Sequence, residues 1–382
     1  MKLIFKSLIE ALAILILSIF LCEYGYYYLL FFHKCPAWLN INAQEQDANS
    51  TKILVLTDTH IMGPVKSVKI DKLVREWQMR QAYSIINSIY KPDIVIFLGD
   101  LFDEGSFSSD YNFKIASKDF DTIFPIDKDN QERIIIAGNH DVGFHDHIRL
   151  NPYYLQRFHK KYLAAINIRL INSPKLKLLN IVAINSMSFY NDTCPVCSLA
   201  IGSTNKLSEY LESLRTELAP SFSEPILLTH VPLYRNDDAH CDYPNRIREK
   251  VQKRNIEGED VMHEVASRFL LDRIRPRLVL AGHTHMRCTT EHELPDGSDV
   301  KVEELTISSF NQKYAEKTPG FLLMHANSTH LSHHYCTLIQ EWVVATIYIA
   351  TILVVCLRLI KCNMKKSESE LSLNVDKEQS FN

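Results

Sequence analysis

Residues 94–103 read IVIFLGDLFD: five apolar residues, then a glycine, then two aspartates three positions apart. The apolar run Asp93–Leu98 is too short for a helix and does not alternate with polar residues, which is the pattern of a strand buried on both faces. The polar groups follow where such a strand ends. Outward from it the same composite recurs. Lys52–Leu56 runs into Asp58-Thr59-His60 and Arg133–Ala137 into Gly138-Asn139-His140-Asp141. Pro225–Leu228 leads to His230, and Arg277–Leu280 to Gly282-His283-Thr284-His285. Asn180–Ile184 is a sixth run of the same kind. Helical patterns lie between several of them: residues 67–89 carry Leu73, Val74, Trp77, Ile85, Ile86 and Ile89, and residues 205–218 repeat Leu207, Leu211, Leu214 and Leu218. This alternation predicts a layered α/β fold. Residues 235–259 are charged and aperiodic, as in a surface loop near the site, ahead of a helix-like run at Asp260–Ile274. Residues 299–336 alternate as further strands, in a second sheet or an edge hairpin.

In α/β sheets, ligands bind at the carboxyl ends of strands. The chain has only 11 glycines, yet three stand directly before, or one residue before, these polar groups. A glycine there lets the backbone turn sharply and aim the next residue into the crevice. The residues so gathered are Asp58, Asp100 and Asp103, the amide of Asn139, and the imidazoles of His60, His140, His230, His283 and His285. Mixed nitrogen and oxygen donors in this number exceed the needs of one tetrahedral ion and suit two ions sharing a bridging carboxylate. The lack of cysteine points to manganese, iron or zinc. Taken singly, each cluster is an ordinary turn; all of them in order, each after a buried strand, read as a metal centre.

The composition, 46% hydrophobic and 23% charged with a net charge of -3, excludes a disordered or fibrous protein and disfavours a basic nucleic-acid binder. Its apolar residues concentrate at the two ends. Residues 8–32 and 342–360 each match the ~20 residues needed to span a bilayer. The first run is longer than a signal-peptide core, continues into aromatics and lacks a small-x-small cleavage site, so it is expected to remain as an anchor. Glu10 and Glu23 within it are read as lying near opposite headgroup regions. Arg358, Lys361, Lys365 and Lys366 cluster at the end of the second run, and no Lys or Arg lies just before Trp342. The positive-inside rule then predicts a cytosolic amino terminus (1–7), a lumenal domain (40–340) and a cytosolic tail (361–382). Sequons at Asn49, Asn191 and Asn327 fall on the lumenal side.

Six cysteines belong to that domain: Cys35, Cys194, Cys197, Cys241, Cys288 and Cys336. Their pairing is not fixed by sequence. Cys194-Pro195-Val196-Cys197 has the spacing of redox and zinc sites. Neither a thioredoxin-like helix start nor a second ligand pair is legible, so a local disulfide between these two is the expectation.

The ordered pattern D-x-H, G-D-x-x-D, G-N-H-D, H, G-H-x-H resembles that of the calcineurin-like metallophosphoesterase superfamily. The resemblance implies a four-layer α-β-β-α sandwich, here flanked by two transmembrane helices. It implies a first ion on Asp58, His60 and His285, a second on Asn139, His230 and His283, and Asp100 bridging them. His140 is implied as the catalytic residue facing phosphate, oriented by Asp103. LTDTHIMG, KLVREWQMRQA, FLGDLFDEG, AGNHDVGFH, HVPLYR and PRLVLAGHTH, with the terminal helices and the Cys-x-x-Cys, are similar to the membrane-bound metallophosphoesterase 1 family. That likeness implies a phosphodiesterase that removes the side-branch ethanolamine-phosphate from the second mannose of glycosylphosphatidylinositol (GPI) anchors, with two divalent ions, manganese preferred. Its implied substrates are GPI-anchored proteins, with cargo-sorting receptors as further partners, in early secretory membranes. One departure is that Lys365 and Lys366 lie well inside a tail ending Glu-Gln-Ser-Phe-Asn, so a terminal dilysine signal is not expected. The rival readings are hydrolysis of another membrane-linked phosphoester and a non-catalytic scaffold of the same fold.

Overall fold

A computed structural model describes residues 2–35, 50–65, 67–171, 173–176, 179–190, 194–219, 221–241, 254–314, 318–338 and 340–379. The sequons at Asn49 and Asn191 lie outside the described residues, as does the middle of the charged 235–259 segment. The chain divides into two units, residues 31–338 and residues 1–30 with 339–382.

In the larger unit the apolar runs become strands, as expected. β1 (Thr51–Leu56), β2 (Ile94–Phe97) and β3 (Glu132–Ile135) are parallel neighbours. β4 (Ile168–Ile171), β5 (Ile181–Ile184), β6 (Ile226–Leu228), β7 (Leu278–Ala281), β8 (Cys288–Glu293) and β9 (Lys301–Thr306) form a second sheet in the order β4-β5-β6-β7-β9-β8. The predicted terminal strands divide between the sheets. β9 joins the second, whereas β10 (Gly320–Ala326) and β11 (Leu331–Thr337) return to the first, giving β11-β10-β1-β2-β3. β10 pairs antiparallel with β1, Leu54 opposite Leu323.

Side chains alternate across each strand, so one face of each sheet meets the other sheet and the opposite face meets helices. Ile53, Val55, Ile94 and Ile96 of the first sheet share a buried cluster with Ile181, Ala183, Ile226, Leu228, Leu278 and Leu280 of the second. On the outer face of the first sheet lie α3 (Lys69–Tyr90), whose Tyr90 hydroxyl donates to the Met324 carbonyl at 2.6 Å, and α4 (Asp110–Ile123), whose Phe120 packs on Phe97 at 4.9 Å. Three short helices follow β3: α5 (Asn139–Val142), α6 (His145–Leu150) and α7 (Tyr153–Tyr162). α8 (Pro195–Leu218) packs on β4 and on α9 (Glu264–Ile274). The result is the four-layer α-β-β-α sandwich.

Three expectations change. Leu73, Val74 and Trp77 share the predicted helix but are exposed; α3 buries only its second half, through Met79, Ala82, Tyr83, Ile85, Ile86 and Tyr90. α8 starts ten residues before the predicted 205–218 helix, because Cys194 caps it and Pro195, which needs no hydrogen-bond partner for its nitrogen, opens its first turn. Cys194 and Cys197 are not joined to each other; the disulfides are Cys35–Cys336 and Cys241–Cys288. The reason is local. The Cys194 thiol turns back to cap the helix and accepts the Cys197 backbone N–H at 3.4 Å, while the Cys197 thiol donates to the Tyr190 carbonyl at 3.2 Å.

In the smaller unit, α1 (Lys2–Phe20) continues through a π-helical turn, Leu21–Gly25, towards α2 (Tyr26–Lys34), and α10 spans Glu341–Gln379. Phe5–Leu29 and Glu341–Ser367 are long and apolar enough to cross a membrane. α1 and α10 pack together, with Ser18 hydrogen-bonded to Thr351 at 2.9 Å and Tyr348 donating to Glu23 at 2.6 Å. Arg358 lies 3.6 Å from Glu10. Glu10 and Glu23 are thus partners of the second helix, the use to which polar groups between apolar helices are commonly put.

Candidate metal centre

The carboxyl ends of β1, β2, β3, β6 and β7 carry every residue singled out by sequence. They converge because both sheets run their parallel strands toward the same edge of the sandwich. Asp58, His60, Asp100, Asp103, Asn139 and His230 are buried, and His140, His283 and His285 are partly exposed.

The turns that present them are strained. Asp58, His60, Asp100, His283 and His285 all have positive φ, between 39° and 71°, a region that costs non-glycine residues of order 1–3 kcal/mol. Contacts around them hold these conformations. The Asp58 carboxylate accepts from Thr57 Oγ1 at 2.7 Å and from the His283 backbone N–H at 3.0 Å, and its carbonyl accepts from Ser309 Oγ. Asp100 accepts from the His140 backbone N–H at 2.8 Å. Gly138 is obligatory on space alone, since a Cβ there would stand 2.1 Å from Asp100 Oδ1 and 2.3 Å from its backbone nitrogen.

Two donor groups result, and Asp100 belongs to both: Asp58, His60, Asp100 and His285 in one, Asp100, His230 and His283 in the other, the donor atoms of each within 4.8 Å of one another. His285 Nε2 lies 3.4 Å from Asp58 Oδ1, and His60 Nε2 3.6 Å from Asp100 Oδ2. In the other group His230 Nε2 is 3.4 Å from Asp100 Oδ2 and 3.0 Å from Asn139 Oδ1, which places the amide there. Two of these imidazoles are oriented from behind. His230 Nδ1 donates to the Leu98 carbonyl at 2.7 Å, turning Nε2 toward the site, and His283 Nε2 donates to the Glu259 carbonyl at 2.6 Å, turning Nδ1 toward it. Ring nitrogens held this way by a carbonyl are the usual environment of metal-ligating histidines.

The electrostatics suit cations. Burial alone would raise the Asp58 carboxyl, but His285 and His230 beside it bring it down to about 2. Asp100 likewise stays well below the usual carboxylate range despite burial, held by His230 and His60. Burial drives His60 down to about 3, so its ring is neutral and able to ligate. Burial also opposes charge on His230, yet Asp100 outweighs it and lifts that ring to about 9. The residues fit divalent ions on a structural criterion too: Asp58 Oδ1 and His60 Nδ1 are buried without a hydrogen bond, and the Nε2 atoms of His60 and His285 approach to 3.0 Å. A divalent cation there would give the orphaned Asp58 oxygen its missing partner.

His140 and Asp103 stand beside the donor groups. His140 Nδ1 is 3.1 Å from the Asp103 carbonyl and 3.5 Å from its Oδ1, and the side chain is 34% exposed, open to a substrate. Sequence reading missed several supports. Asp141 accepts from the backbone N–H groups of Gly138, Leu101 and Phe102, tying the G-N-H-D turn to the G-D-x-x-D turn; the fourth position of G-N-H-D was its only signal. Tyr314 lies 4.4 Å from the His60 ring, and burial and Asp103 raise its hydroxyl pKa. Thr57 and Ser309 gave no signal beyond adjacency or none at all.

Comparison with known proteins agrees with this geometry. Residues 51–287 match the calcineurin-like phosphoesterase family, an interval that holds every residue of the two donor groups. The chain is 33% identical to metallophosphoesterase 1 of Ailuropoda melanoleuca over 93% of this chain and 90% of that protein. It is 34% identical to metallophosphoesterase 1 of Mus musculus, covering 88% and 85%, and 31% identical to the metallophosphoesterase 1 homolog of Caenorhabditis elegans, covering 88% and 87%. Strand ends, shared aspartate and full-length likeness lead to one conclusion: the chain belongs to the metallophosphoesterase 1 family of calcineurin-like phosphoesterases and is a metal-dependent phosphoric ester hydrolase.

Proposed function

We propose that this chain is a two-ion phosphodiesterase that removes the side-branch ethanolamine-phosphate from the second mannose of GPI anchors on proteins, in membranes of the early secretory pathway. The observation that carries the two-ion reading is Asp100, a carboxylate common to both donor groups. Asp58, His60 and His285 hold the first ion, Asn139, His230 and His283 the second, and manganese is the preferred metal. When bound, such a pair supplies Lewis acidity toward a phosphoryl group and lowers the pKa of water. His140 serves the leaving oxygen. Its Nδ1 is held by Asp103, so the proton it delivers comes from the open Nε2 side. Asp103 is a positioning residue, fixing the ring plane. Asn139 is adjacent to His140 in the same short helix, which sets the acid beside the second ion.

The apolar helices at both ends support a membrane-bound substrate, because tethering enzyme and substrate to one surface raises their effective concentration. The domain is lumenal in this reading. The test is the side-branch composition of GPI anchors in cells lacking the chain: retained ethanolamine-phosphate on the second mannose, restored to normal by the wild type but not by an Asp100 variant, is expected. An unchanged composition overturns the substrate.

A further inference from the structure

Behind the metal centre lies a second donor cluster, made by His145, Cys194 and Cys197, whose Nε2 or Sγ atoms fall within 4.8 Å of one another. We infer that these three residues form a separate thiolate site for zinc, independent of the phosphoesterase centre.

The geometry is that of a preset ligand group. Zn–S and Zn–N bonds of ~2.3 and ~2.05 Å at a tetrahedral angle set sulfur and nitrogen about 3.6 Å apart. Cys194 Sγ stands 3.5 Å from His145 Nε2. The ring is turned for ligation: Nδ1 donates to the Met187 carbonyl at 3.1 Å, which leaves the lone pair on Nε2 facing the sulfur. It is also locked in plane by stacking on Tyr190 at 4.4 Å and 5°. His145 and Cys197 are buried, and Cys194 is partly exposed, so water can complete the fourth position. Both cysteines sit at the start of the 24-residue helix α8. Binding displaces the two thiol protons to solvent.

A contrast within the molecule sharpens the assignment. His240, Cys241 and Cys288 form a cluster of the same composition, but there the sulfurs are covalently joined and do not ligate. At 194 and 197 they are not joined. The zinc ties the turn at His145 to the head of α8. Phe144, the preceding residue, packs edge-on against His283 at 6.1 Å, so the clamp also steadies one wall of the catalytic centre.

The full chain, purified in detergent, provides the test. Cobalt added to metal-stripped protein should give a thiolate-to-metal charge-transfer band, which the nitrogen and oxygen donors of the phosphoesterase centre cannot produce. The band should survive Asp100→Ala and vanish in Cys194→Ser/Cys197→Ser. Metal analysis of the Asp100→Ala protein should find one zinc per chain. A Cys194–Cys197 disulfide in peptide maps of the wild type as isolated, or no charge-transfer band in the wild type, overturns the site. Both of these wild-type measurements hold even where the double variant fails to fold, and neither depends on the identity of the phosphoester substrate.

Discussion

Gly138→Ala tests whether the metal centre depends on the packing of two turns. The added Cβ would lie 2.1 Å from Asp100 Oδ1 and 2.3 Å from the Asp100 backbone nitrogen, short of ordinary contact by about 1.3 Å. The oxygen could swing away. The backbone nitrogen cannot, because Asp100 sits at positive φ in a turn that also donates from Leu101 and Phe102 to Asp141. Relief therefore has to separate the G-D-x-x-D turn from the G-N-H-D turn, moving Asp100 relative to Asn139 by about an ångström. Overpacking of this kind costs ~1–3 kcal/mol of stability. A displacement of ~1 Å at the reacting groups costs roughly 10²-fold in rate. Hydrolysis of bis(p-nitrophenyl) phosphate by the full chain, with bound metal counted, should show both losses. Gly202→Ala is the control: nothing lies within 4 Å of its added Cβ, it sits inside α8, and it should stabilise by ~0.5–1 kcal/mol at unchanged rate. A Gly138→Ala protein with wild-type metal content and a kcat within about twofold of normal would refute the packing argument.

Asp100→Ala removes the carboxylate common to both donor groups, so metal analysis should find both ions of the centre lost and turnover reduced roughly 10³-fold or more. His140→Ala should keep the metal yet slow hydrolysis ~10²- to 10⁴-fold for esters with poor leaving groups, and much less for nitrophenyl esters; equal losses on both would remove the acid role. His230, lifted by Asp100 from 6.5 to about 9, contributes stability to chelator-stripped protein that is complete below pH 6.5 and lost as the pH rises through 9. The melting temperature of stripped protein should fall across that window while metal binding tightens, and a flat profile would contradict the His230–Asp100 pairing. Asn→Gln at 49, 191 and 327 should abolish an endoglycosidase-sensitive mobility shift of the wild type, whereas protease access to the domain from the cytosol would reverse the proposed topology.

Most strands that bear the site were legible because they are buried on both faces; β3, an edge strand with Glu132 and Arg133 half-exposed, was legible only from Ile134 onward. A run such as Ile94–Phe97 must then be apolar throughout, and a polar residue directly after it marks a strand end facing a crevice. β4 and β8 were not legible for the converse reason. As edge strands they are half-exposed, with sequences, IRLI and CTTEHE, that carry no full apolar run. The pairing of β10 with β1 joins residues far apart in the chain, and nothing local encodes it. On α3, helical spacing of Leu73, Val74 and Trp77 was real, but spacing cannot tell where a helix runs past the sheet that would cover it. The donors themselves stood out through motif order. Tyr314, Ser309 and the Glu259 carbonyl did not, because they act by position and their residue types are common in any loop.

The Cys35–Cys336 bond closes a loop of 301 residues around the whole catalytic sandwich. Its mechanical meaning differs from its thermodynamic one. Cys35 precedes β1 and Cys336 is the next-to-last residue of β11, so tension pulled along the chain from either end reaches this covalent link ahead of β1 and β10. The β1–β10 ladder, whose far end presents Asp58, is thereby shielded from load. Pulling on the terminal segments can then proceed without shearing the strand that leads to Asp58.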